Sequence, residues 1–146
     1  MIYNNNNIAY TEAIMNTVVN VRQTKYCTDI EEILRSTGHA SNYELLRELR
    51  KKYPTLSATT VHRATARLSE RGQIASAPPE KNGSMRYDTN TLPHDHFVCQ
   101  TCERIRDIDI AENVIPMVNS ALGACKVTGR LVIYGSCENC IKKGDT

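Results

Sequence analysis

A chain of 146 residues supports one compact domain or two small ones with thin cores. Its 18 Lys and Arg against 16 Asp and Glu leave a net charge of +2, which excludes an indiscriminate polycation and an acidic tail. With 40% hydrophobic and 23% charged residues it is globular in composition, neither disordered nor membrane-embedded.

Along the chain, the Asn-rich start over residues 4–7 gives way to a helical pattern at 8–20, where Ile8, Met15, Val18 and Val19 share a face. Thr28 followed by Glu31 reads as a capping box for a second helix with Ile30, Ile33 and Leu34 inward, ended by Gly38. Ser41 and Glu44 repeat the box for a third helix carrying Leu45, Leu46 and Leu49, closed before Pro54. Ser57 caps a fourth helix that runs to Arg71, with Gly72 as its stop. The period then changes: residues 74–77 and 85–88 flank an Asn82-Gly83 turn, the signal of a two-stranded hairpin.

Helices followed by a hairpin is the order of a winged helix-turn-helix, with residues 57–71 as the recognition helix and the hairpin as the wing. A small helical bundle bearing a hairpin fits the pattern as well. Residues 1–90 hold 12 Lys and Arg against 9 Asp and Glu, while 91–146 hold 6 against 7, so the positive balance lies in the helical half.

In the second half, residues 97–98, 103–110 and 126–135 read as strands and 114–123 as a helix with Pro116 near its first turn. This is a small α+β module with few large apolar residues, which calls for a staple. No run approaches the roughly 18 apolar residues of a membrane span, and residues 1–10 lack a signal-peptide pattern, so no membrane and a cytoplasmic location are expected. A reducing compartment turns the 6 cysteines away from disulfides and towards metal. Cys99 with Cys102, and Cys137 with Cys140, form two C-x-x-C turns that can complete one tetrahedral Zn²⁺ site; a dithiol redox pair or an iron site are the alternatives. Cys27 and Cys125 stand apart and are expected to be buried thiols.

His94 and His96 lie on one side of an extended segment, Asp107 and Asp109 alternate in the same way on the next strand, and Asp88 ends the wing. Each residue alone is commonly a surface charge, a cap or a loop residue. Together they lie near the junction of the two halves, where mixed imidazole and carboxylate donors suit Fe²⁺ or Mn²⁺.

The succession His39, Ser57-Ala58-Thr59-Thr60-Val61, Arg86-Tyr87-Asp88, His94-x-His96-x-x-Cys99-x-x-Cys102, Asp107 and Ile133-Tyr134-Gly135-x-Cys137-x-x-Cys140 strongly resembles the ferric uptake regulator family over nearly the whole chain. The resemblance implies a homodimeric transcription regulator, usually a repressor, that binds a double-stranded DNA operator. It implies a winged-helix DNA-binding domain over 1–88, a hinge over 89–93 and a dimerisation and metal-binding domain over 94–146. It further implies structural zinc on the four cysteines and a regulatory metal on His39, Asp88, His94, His96 and Asp107. Asp at both carboxylate positions is similar to the peroxide-stress branch, in which Fe²⁺ and hydrogen peroxide oxidise a coordinating His and release the DNA. An iron or manganese sensor without peroxide chemistry is the alternative within the family.

For DNA contact the expected residues are Arg22, Ser57, Thr59, Thr60, His62 and Arg63, with Arg63 the first choice for a phosphate or guanine. His62 stands where the family usually has Tyr, and Thr65 and Arg67 stand at generally apolar positions. Lys25-Tyr26-Cys27 replaces a usual Pro-Gln-Arg, while Pro93 and Thr128-Gly129 occupy positions where a further His-rich site is often found. No nucleophile motif or Gly-rich phosphate loop occurs, so an enzyme is not expected. A zinc-ribbon interaction module and a thiol redox protein are the readings from other classes.

Overall fold

The computed structural model describes residues 25–144. The helix expected over 8–20 and Arg22 lie outside the described residues.

Helix α1, Lys25–Thr37, buries Cys27, Ile30 and Leu34 along one stripe. It starts before Thr28, which is therefore an interior residue and not a cap. Tertiary contacts hold the extra turn: Tyr26 packs edge-on against Tyr53 at 5.1 Å, and the Tyr53 hydroxyl donates to Asp29 at 2.7 Å. Gly38 ends α1 at φ 78°, a left-handed conformation that suits glycine, with its N–H donating to the Leu34 carbonyl at 2.8 Å.

Strand β1, His39–Ser41, then leads into helix α2, Asn42–Lys52. The expected capping box is present, with Ser41 N–H donating to Glu44 Oε2 at 2.8 Å and Glu44 N–H donating to Ser41 Oγ at 3.3 Å. Helix α3, Ala58–Glu70, is capped by Ser57, whose Oγ accepts from Thr60 N–H at 3.2 Å. Val61, Ala64 and Leu68 face Leu34, Leu45, Leu49 and Ile74 in one core. Thr65, fully buried in that helix, places its hydroxyl 3.0 Å from both the His62 carbonyl and Asn42 Oδ1, which satisfies a polar group among apolar neighbours.

Strands β2, Ala75–Ala77, and β3, Arg86–Asp88, form the antiparallel hairpin, with the Asn82 side chain receiving Ser84 N–H in its turn. The expected two strands are in fact three, because β1 pairs antiparallel with the other edge of β3 in the order β1-β3-β2.

A second sheet has the order β5-β4-β6, with β4 Asp95–Cys99 central, β5 Ile105–Ile108 antiparallel to it and β6 Val132–Gly135 parallel. Both flanking strands are shorter than the expected 103–110 and 126–135. The buried Asp95 carboxylate marks the end of β5 and the start of β6, taking the N–H groups of Ile110 at 3.1 Å, Ala111 at 2.8 Å and Leu131 at 2.9 Å, while Glu103 lies in the turn after Cys102 at φ 60° and the Val127 N–H goes to Asn119 at 2.7 Å. The Asp95 contacts start helix α4, Ala111–Ala121, earlier than residue 114; Ile110 supplies no side-chain cap, and Asp95 caps from across the sheet. Pro116 consequently lies inside the helix, further from its start than expected. A short helix α5, Glu138–Lys143, follows β6 and has no counterpart among the expected elements. Among the described residues no helix is long and apolar enough to cross a membrane.

Candidate metal centres

The parallel pairing of β4 with β6 sets Cys99 opposite Gly135, so both C-x-x-C turns reach the same end of the sheet. Cys99 closes β4, Cys102 lies in the turn after it, and Cys137 and Cys140 bracket the start of α5. The Sγ atoms of Cys99 and Cys140 are 3.9 Å apart, and those of Cys102 and Cys137 are 3.7 Å apart. Tetrahedral Zn²⁺ with bonds of about 2.3 Å requires sulfurs about 3.8 Å apart, so the four thiols fit that ion.

Electrostatics prepares this site unevenly. The N–H groups of Cys102 and Cys137 bring the Cys99 thiol down to about 6, and the Cys140 N–H lowers Cys137. Burial, reinforced by hydrogen bonds among the sulfurs, pushes Cys140 up to about 12. A divalent cation removes that opposition, because it stabilises all four thiolates at once.

The second cluster is assembled by two facing register pairs. In the first sheet β1 His39 lies opposite β3 Asp88, and in the second sheet β4 His96 lies opposite β5 Asp107. His94, just before β4, completes the group, and one ligand atom from each of the five lies within 4.8 Å of all the others. His39 Nε2 is 3.3 Å from Asp88 Oδ2 and 3.0 Å from Asp107 Oδ1, while His94 Nε2 is 3.1 Å and 3.5 Å from the same two oxygens. His94 Nε2 and His96 Nε2 are 2.9 Å apart.

Neighbouring groups aim these donors. His94 Nδ1 lies 2.7 Å from the Leu92 carbonyl, a contact that places the ring proton on Nδ1 and leaves the Nε2 lone pair for the cluster. Asp88 Oδ1 accepts from Asn90 N–H at 2.7 Å, which turns Oδ2 inward. Burial lowers the His96 pKa, and the adjacent His94 and His39 lower it further, so its imidazole is neutral and able to coordinate at pH 7. Close as they are to these neighbours, buried His39 Nε2 and Asp88 Oδ2 have no hydrogen-bond partner among the described residues. Nitrogen lone pairs and two carboxylates converging around such atoms repel one another unless a cation sits between them. The donor set fits Fe²⁺ or Mn²⁺, whereas the all-sulfur site fits Zn²⁺.

On α3 the side chains of Thr59, His62 and Arg63 are exposed on one face, away from the core. Ser57 is exposed and Thr60 half-buried, with their hydroxyl oxygens 2.9 Å apart at the start of the helix. Cys27 is buried as expected, but Cys125 is exposed: its segment between α4 and β6 is not drawn into the sheet. Asp95 had no role assigned from sequence, although its position between His94 and His96 puts it on the opposite face of the strand, where a carboxylate needs buried partners. Arg86, part of the Arg86-Tyr87-Asp88 stretch but with no role that sequence alone indicates, has a side chain 7% exposed and ion-paired to Glu80 and Glu103.

A winged helix joined to a four-cysteine module through a shared His and Asp cluster is the architecture of a metal-dependent transcription regulator. The profile of the Ferric uptake regulator family matches residues 19–132, and the chain belongs to that family. Its members regulate transcription and are not enzymes, and this chain is a metal-dependent regulator of that kind. The "Peroxide operon regulator" of Bacillus subtilis is 28% identical over 116 residues, covering 78% of this chain and 79% of the relative. The fold is that of the Helicobacter pylori ferric uptake regulator Fur, at a TM-score of 0.67 and 20% identity over 92% of this chain and 91% of the other. The Campylobacter jejuni peroxide stress regulator superposes with a TM-score of 0.61 and 23% identity, over 88% of this chain and 98% of the other.

Proposed function

We propose that the protein is a cytoplasmic, homodimeric repressor whose regulatory metal site is His39, Asp88, His94, His96 and Asp107, and that it senses hydrogen peroxide through oxidation of a ligand His. The observation that carries this reading is the convergence of five ligand atoms from both sheets onto one point. Residues 1–88 form the DNA-binding domain, 89–93 the hinge and 94–146 the dimerisation domain, the last folded around Zn²⁺ on Cys99, Cys102, Cys137 and Cys140.

His39 and Asp88 come from the first sheet, and His94, His96 and Asp107 from around the second. A cation held by all five fixes the first sheet, and with it α3, relative to the dimer axis. Ser57, Thr59, Thr60, His62, Arg63 and Arg22 then meet a two-fold-related operator in register. Fe²⁺ held there would supply the electron that splits hydrogen peroxide and would recover it as the ring is oxidised, so that one oxygen goes to the imidazole and the other leaves as water; Mn²⁺ would not drive this reaction. His39, Asp88, His94, His96 and Asp107 would hold the ion as five protein donors. By the resemblance to the peroxide-stress branch, His39 and His94 are the rings expected to be oxidised, and the Nε2 atoms of both lie within 3.5 Å of the Asp88 and Asp107 oxygens of the cluster. An oxidised ring loses its ligand character, the two sheets separate, and the DNA is released. Support for the peroxide branch comes from Asp at both carboxylate positions and from the resemblance to the Bacillus subtilis regulator.

Peptide mass spectrometry tests the reading. Protein prepared without oxygen, loaded with Fe²⁺ and exposed to hydrogen peroxide should gain oxygen on the peptides holding His39 or His94 and lose DNA binding, and Mn²⁺ should protect both. Oxygen found on methionines or cysteines alone, with DNA still bound, would replace this reading with that of a plain iron or manganese sensor.

A further inference from the structure

Arg86 and Asp88 are two residues apart on β3, so their side chains leave the same face of the strand. Asp88 enters the His and Asp cluster. Arg86 reaches the turn of the first C-x-x-C, where its Nη2 donates to Glu103 Oε2 at 3.1 Å; its Nε lies 3.8 Å from Glu80 Oε1. Glu103 directly follows Cys102, takes a left-handed φ of 60° and donates its N–H to the Cys99 carbonyl at 2.9 Å. It is therefore part of the zinc knuckle itself. A polar cavity of about 580 Å³, lined by His39, Glu80, Arg86, Cys102 and Glu103 among others, reaches from one metal centre to the other.

The Arg86 pair is a poor device for stability alone. Taking a guanidinium out of water is expensive, and Nη1 has no hydrogen-bond partner among the described residues. What the pair does geometrically is hold β3 against the turn bearing Cys99 and Cys102 without needing a regulatory cation. With β3 held there, Asp88 already faces His94, His96 and Asp107, and less ordering remains when the cation arrives.

We propose that the Arg86 to Glu103 bridge is a positioning link between the two metal centres: it transmits the rigidity of the zinc knuckle to Asp88 and so sets the affinity of the regulatory site for its divalent cation. This rests on reading His39, Asp88, His94, His96 and Asp107 as that site.

The test is Mn²⁺ titration of the zinc-loaded full-length protein, followed by electron paramagnetic resonance, with zinc content and thermal midpoint measured on every variant. Arg86→Met and Glu103→Gln should each keep their zinc yet bind Mn²⁺ about 10-fold more weakly, the low end of what losing an outer-shell partner costs. The double variant should also be about 10-fold weaker, because the two residues act as one unit. Glu103 is partly exposed, so Glu103→Gln keeps the question answerable if Arg86→Met does not fold. Wild-type affinity in a zinc-retaining Glu103→Gln protein would overturn the link, as would losses in the two single variants that multiply to about 100-fold in the double. Asp88→Ala separates the two levels of the argument. If it binds Mn²⁺ as wild type does, the regulatory site is elsewhere and the link falls with it; if it abolishes binding while Glu103→Gln changes nothing, the site stands and the link alone is refuted.

Discussion

Replacing Asp95 by Asn should destabilise the second half of the molecule and loosen the regulatory site together. The carboxylate is buried and receives three backbone N–H groups, two on Oδ2 from Ile110 and Ala111 and one on Oδ1 from Leu131. Asparagine retains one oxygen, which can keep the pair from Ile110 and Ala111, but its NH₂ then faces the Leu131 N–H, donor against donor. A hydrogen bond to a charged group contributes about 1.5–3 kcal/mol, and the remaining two bonds lose their charge assistance, so the expected cost is about 2–4 kcal/mol. In urea, where small proteins lose about 1–3 kcal/mol per molar, the unfolding midpoint at fixed protein concentration should fall by about 1–2 M. Because Asp95 begins the strand that carries His96 and adjoins His94, Mn²⁺ affinity should fall as well.

The pH dependence gives this substitution a second check. The N–H groups, that of Leu131 foremost, hold the Asp95 carboxyl below the ordinary value of 3.8 despite its burial. A depressed folded value means that the stabilisation is complete above the unfolded value and lost as pH falls through the folded one. The gap between wild type and Asp95→Asn should therefore be constant from about pH 8 to pH 5 and narrow only below about pH 4. A variant within about 0.5 kcal/mol of wild type, or a gap that shrinks between pH 8 and pH 5, would refute the reasoning.

Other expectations follow from the same geometry. Cys102→Ser removes one sulfur of the tetrahedral set and should abolish zinc retention and the dimer; metal analysis and sedimentation decide it, and a folded, zinc-free dimer would contradict the structural role. Arg63→Ala, on the exposed face of α3, should weaken operator binding by about 10-fold or more in a fluorescence anisotropy titration while leaving metal content unchanged.

What could be read from sequence was what is encoded locally or in chain order. The Ser41 and Glu44 capping box is a contact between residues three apart, and it appears in the structure as read. The same signal at Thr28 and Glu31 failed because packing of Tyr26 against Tyr53, which are distant in the chain, extends the helix past it. Strand β1 is three residues long and gains its identity from pairing with β3, so no period within it could announce it. The cysteine cluster was legible because each C-x-x-C is a local chelate; of the other cluster, His94, His96, Asp88 and Asp107 stood out by position, whereas His39 entered only through the family resemblance, since pairing of β1 with β3 is what places it. Asp95 was not legible as a capping residue, since the N–H groups it serves lie 15, 16 and 36 residues away.

The most direct test of the central claim is selection of double-stranded DNA from a random pool by the zinc-loaded protein, with and without Mn²⁺, in wild type and in His96→Ala. The expected result is a two-fold symmetric sequence enriched by wild type with Mn²⁺, lost without the ion and lost in His96→Ala, whose zinc content is unchanged. Enrichment of the same sequence by His96→Ala, or by wild type stripped of all but its zinc, would contradict a regulatory metal site at the meeting of the two sheets.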